Sequence, residues 1–60
     1  MSSFTKKDLI IIEDLIYNQT VLSKKYKDYS ESSLDIEVKN MFAIASTSTL
    51  KNIKDLKSLL

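Results

Sequence analysis

The residues able to do acid–base chemistry begin with an adjacent pair of carboxylates, Glu13 and Asp14. Helix neighbours point to different sides, so this pair cannot chelate one ion or act as an acid/base couple from a single helix. It reads as a solvated acidic face. Lys24-Lys25-Tyr26-Lys27 is a basic cluster with an interleaved aromatic, a pattern able to meet phosphate or an acidic partner. Asp28 and Glu31 offset part of that charge, and Glu31 stands four residues after Lys27, the spacing of a helical ion pair. Tyr17, Tyr26 and Tyr29 could stack on a ligand. However, Tyr26 and Tyr29 share a helical stripe that Tyr17 does not, so packing with hydroxyls reaching outward is the better account. The chain holds no His and no Cys. Serine nucleophiles therefore lack the usual base, disulfides and thiolate sites are excluded, and the commonest metal ligand is missing. The expectation is a non-enzyme with no catalytic, cofactor-binding or metal-binding residues.

Charge and length narrow the partners. Lys and acidic residues nearly balance, leaving a net charge of +1. The lysines are spread along the chain and no Arg is present for base-edge contacts, so nucleic acid is not an expected partner. No apolar run approaches the ~20 residues of a membrane span, and Leu9-Ile10-Ile11-Ile12 is too short for a signal-peptide core. The chain is expected to be cytoplasmic. Gly and Pro are both absent, which argues against hairpin-rich β folds and glycine phosphate loops. A chain of 60 residues makes one small domain, burying only about 60% of its unfolded surface. Domains this small lean on disulfides, a metal or oligomerisation. With the first two removed by composition, self-association is the expected support.

The elements that must position these side chains are organised around Ser30-Glu31-Ser32-Ser33-Leu34-Asp35, the one cluster of helix-competing residues between two periodic segments. It predicts the bend of an antiparallel two-helix hairpin, all-α in class. Helix 1 is expected over about residues 6–31, the turn over about 32–35, and helix 2 over about 35–59. Thr5 is a good N-cap with Asp8 in the reciprocal position, while Phe4 and Leu9 have the spacing of a hydrophobic staple. Asp35 caps helix 2, with Glu37 in its first turn and Lys54 and Lys57 near its end, each favourable to the dipole. The main apolar face of helix 1 is Ile11, Ile12, Leu15, Gln19, Leu22, Tyr26 and Tyr29. That of helix 2 is Val38, Met41, Phe42, Ala45, Thr49, Ile53, Leu56 and Leu60. The small side chains from Ala45 to Thr49 would let a neighbouring helix approach closely.

Each helix also carries a thinner apolar stripe: Ile10, Tyr17 and Val21 on helix 1; Ile36, Ala43 and Leu50 on helix 2. A lone hairpin cannot bury two faces per helix. Either these are scattered surface hydrophobes, which are normal, or they are the contact with another subunit or a partner helix.

The sequence Asp14-Leu15-Ile16-Tyr17-Asn18-Gln19, then Tyr26 and Tyr29, Ser32-Ser33, and Glu37-Val38-Lys39-Asn40-Met41-Phe42 resembles the spore coat protein F family. The match spans roughly residues 8–56. The resemblance implies an all-α helical hairpin like half of a ferritin-like bundle, a link to sporulation or the spore coat, and no established catalytic activity; the amphipathic hairpin itself is expected to self-assemble, most simply as a dimeric four-helix bundle. Ferritin-like metal sites draw on Glu and Glu-x-x-His. Here Gln19 stands where the family tends to carry an inward acid, and Ser46 to Thr49 offers only hydroxyls. Gln19 is then either a buried hydrogen-bonding residue facing that Ser/Thr cluster, setting register as polar core residues can, or a Gln at the edge of the core with its amide in water. The expected partners are other copies of the chain and spore coat or regulatory proteins. The other reading is a small regulatory adaptor that binds a helix of another protein.

Overall fold

A computed structural model describes residues 3–60. Two helices, α1 (Lys6–Ser32) and α2 (Ile36–Lys57), pack side by side as an antiparallel hairpin, and no described residue is in a strand. The start of α1 is fixed by a full reciprocal cap. The Asp8 amide donates to Thr5 Oγ1 at 3.1 Å, and the Thr5 amide donates to Asp8 Oδ2 at 3.0 Å. A shorter Asp therefore completes the box that Glu usually makes. The helix runs through Ser32, one residue beyond the expected end, and closes with the Ser33 amide on the Tyr29 carbonyl at 3.0 Å.

Extended backbone at Ser33 (φ −74°, ψ 137°) then turns the chain out of the helix. Leu34 stands free at the tip, and Asp35 Oδ1 accepts from the Val38 amide at 3.0 Å to start α2. No described residue has a positive φ, so the bend needs no glycine. α2 stops at Lys57, short of the expected 59, because its last amides tighten into shorter turns: Leu59 bonds the Leu56 carbonyl and Leu60 the Lys57 carbonyl.

The seam between the helices differs from the apolar faces read in the sequence. The least exposed positions of α1 are Ile12, Ile16, Gln19, Ser23, Tyr26 and Ser30, joined by Leu22 and the cap residue Ser33. On α2 they are Lys39, Phe42, Ser46, Thr49, Ile53 and Leu56, joined by Ala45. Ile11, Leu15, Tyr29, Val38, Met41 and Leu60 are exposed rather than shut inside the hairpin. The contact keeps Ile12, Gln19, Leu22 and Tyr26 of the expected α1 face and Phe42, Ala45, Thr49, Ile53 and Leu56 of the expected α2 face, and is turned from them by less than one residue step. Size explains the choice. Serines at 23, 30 and 46 let the backbones approach, and the hydroxyls of Ser30 and Ser46 bond across the seam. Ser46 Oγ donates to the Ser23 carbonyl at 3.2 Å, and Ser30 Oγ donates to the Lys39 carbonyl at 2.8 Å. Thr49, also buried, returns its hydroxyl to the Ser46 carbonyl at 2.7 Å. No buried side-chain polar atom among the described residues lacks a partner. Near the bend, Phe42 is held between Tyr26, stacked at 6.1 Å, and Tyr29, edge-on at 5.2 Å.

The Cα atoms extend 46 × 16 × 10 Å, so the hairpin is a single layer of helix. Stable domains bury their apolar stripes between at least two layers. Accordingly Ile12, at 7% exposure, is the only apolar residue among the described residues that is buried, and no side chain among them is fully enclosed.

Candidate functional site

Along α1, each seam position is preceded by a member of a second stripe: Ile11, Leu15, Asn18, Leu22, Lys25 and Tyr29. On α2 the corresponding stripe is Val38, Met41, Ala45, Ser48, Asn52, Asp55 and Leu59. In antiparallel helices, stepping back one residue turns both side-chain sets toward the same side of the layer. One broad face of the hairpin is therefore mainly apolar, with Asn18, Lys25, Ser48, Asn52 and Asp55 interspersed, and its apolar members other than Leu22 and Ala45 are exposed, including Leu15 at 43% and Met41 at 68%. Towards the open end this face holds a groove of about 430 Å³ lined by Leu15, Gln19, Asn52, Asp55, Leu56 and Leu59.

Gln19 lies on the edge of that groove, half-buried, and its Oε1 accepts from Asn52 Nδ2 at 3.1 Å. Its partner is thus Asn52, not the Ser/Thr cluster, in which the Ser46, Thr47 and Thr49 hydroxyls donate to backbone carbonyls. Asn52 escaped the sequence reading because it stands off the apolar stripe. The signal was available in the register: Asn52 is level with Gln19 once the helices are folded back on the bend.

The opposite broad face, one residue after each seam position, is largely charged, with Glu13, Lys24, Lys27, Glu31, Lys54 and Lys57. Tyr17, Ile36, Ala43 and Leu50 of the thin stripes fall on this face, interspersed with those charges, and Tyr17 is 69% exposed. Ile10 and Val21 lie on the outer edge of α1, away from α2. The six stripe residues are all exposed, but the hairpin does not gather them into one continuous surface.

The remaining candidates are dispersed. Glu13 and Asp14 are both exposed and diverge, and no cluster of three metal-capable side chains exists among the described residues. Lys25 lies on the apolar face, whereas Lys24 and Lys27 lie on the charged one, so the basic run forms no single patch. Among the described residues the ion pair that forms is Lys51–Asp55 at 3.0 Å rather than Lys27–Glu31. No described helix is long and apolar enough to cross a membrane. Comparison with protein families, curated proteins and solved structures finds no match to this chain.

Proposed function

We propose that this chain is a non-enzymatic, self-assembling structural unit, whose simplest form is a homodimer closing a four-helix bundle. The observation that supports it is the single-layer hairpin with one broad face apolar and open. A second hairpin laid on that face supplies the missing layer and removes Leu15, Tyr29, Met41 and Leu59 from water. In keeping with the resemblance to the spore coat protein F family, the assembled unit belongs with the spore coat or its cytoplasmic assembly. The groove beside Gln19 favours a second reading, an adaptor that seats a helix of another protein. A pull-down from sporulating cells, combined with the solution mass of the captured complex, distinguishes the two. Self-association alone supports the structural unit, and a stoichiometric foreign partner supports the adaptor.

A further inference from the structure

The apolar face has a shape and a charge pattern that can be tested for what fits it. On α1 its members Ile11, Leu15, Asn18, Leu22, Lys25 and Tyr29 alternate four and three apart, the spacing of a helix that packs along its length against another. Its outer edge carries Asp14 and, about three turns further along, Lys25. The seam contacts Ser30–Lys39, Ser23–Ser46 and Gln19–Asn52 set the levels along the hairpin. Gln19 lies at mid-length of α1, with Asp14 and Lys25 on either side of it at nearly equal distance. Leu15 shares its groove with Asp55 and Leu56, so Asp14 is level with Asp55.

Two twofold arrangements lay this face on itself. With both bends at the same end, α1 of each copy lies over α2 of the other. Asp14 then meets an edge on which Asp55 is already paired with Lys51, so it gains no opposite charge there. With the bends at opposite ends, α1 lies antiparallel over α1. With the twofold axis at the level of Gln19, Asp14 of each copy meets Lys25 of the second copy, and the contact occurs twice. The α2 edges also meet, but each carries the Lys51–Asp55 pair and is internally neutral. In the same arrangement Tyr29 of the second copy arrives level with Ile11 and Leu59, at the mouth of the open groove.

Resting on the self-assembly reading above, we infer that a second copy of this chain seats on the apolar face with its bend at the opposite end. Asp14 and Lys25 pair across the twofold axis, and Tyr29 enters the groove of the facing copy.

The full chain has no cysteine, so a nitroxide at Leu34→Cys labels the exposed tip of the bend alone. The tip is some 15 residues from mid-length, which places the two labels about 40 Å apart by helix rise. A dipolar distance near that value supports the inference. Labels closer than about 25 Å in a dimer put the bends together and overturn the inference, while the self-assembly reading stands. A monomeric solution mass with no dipolar coupling overturns both. Charge exchange supplies an independent readout, because Asp14 and Lys25 are exposed and their replacement leaves the hairpin seam intact. Asp14→Lys and Lys25→Asp should each weaken the dimer roughly 2- to 30-fold, since two surface pairs are lost at once. The double variant should restore it. A double variant as weak as the singles overturns the pairing.

Discussion

The Ser46 hydroxyl donates to the Ser23 carbonyl at 3.2 Å, joining α2 to the backbone of α1 at a point where both side chains are small. Seven residues nearer the bend, Ser30 repeats the contact on the Lys39 carbonyl at 2.8 Å. The hairpin is therefore closed by close backbone approach and hydroxyl bonds along much of its seam. Its larger apolar side chains are left to the adjoining face. Ser46→Ala should lose the cross-seam bond and cost about 0.5–1.5 kcal/mol. Ser23→Leu should cost more, about 1–3 kcal/mol, because the added volume forces the helices apart. Urea denaturation at fixed protein concentration measures both, and equal stability of Ser23→Leu and wild type would show that the seam is not closely packed.

That pattern marks what could be read from the sequence and what could not. The helix starts were legible because Thr5, Asp8 and Asp35 carry local capping chemistry that needs no tertiary partner. The bend was legible for the same reason. The facing of the helices was legible only in part, because Ile11 and Ile12, or Leu15 and Ile16, are equally apolar neighbours about 100° apart. Counting apolar residues favoured the stripe through Leu15 and Tyr29, whereas packing favoured the one through Ser23 and Ser30. The Asn52–Gln19 bond depends on the fold-back register and on no local signal.

Removing the α1 cap should act locally. Thr5→Ala removes the acceptor for the Asp8 amide and should cost about 0.5–2 kcal/mol. Amide exchange should accelerate in the first turn, Lys6 to Leu9, while protection around Ser23 persists. Unchanged protection in that turn would show that the box contributes nothing in solution.

Phe42 is the aromatic hinge of the bend end, set between Tyr26 and Tyr29. Phe42→Ala should cost about 3 kcal/mol, a large share of the stability of so small a domain. The loss should appear as a lower thermal midpoint at any one concentration. A shift within a degree of wild type would mean that the aromatic cluster is dispensable.

Metal analysis after purification without chelators should find no stoichiometric iron, manganese or zinc. The Gln19 amide oxygen accepts from Asn52 across the hairpin, and the neighbouring Asp55 is tied to Lys51. A stoichiometric metal that disappears in Gln19→Ala would contradict this.

In the proposed assembly the apolar face completes its core with another copy of the chain. Sedimentation equilibrium at micromolar concentration, run on wild type, Leu15→Lys and Tyr17→Lys, tests it most directly. Leu15→Lys places a charge on the apolar face, and Tyr17→Lys places one on the opposite face. The account predicts twice the 6.9 kDa chain mass for wild type and Tyr17→Lys, and a single-chain mass for Leu15→Lys. A wild-type monomer with a sharp, concentration-independent thermal transition would contradict it.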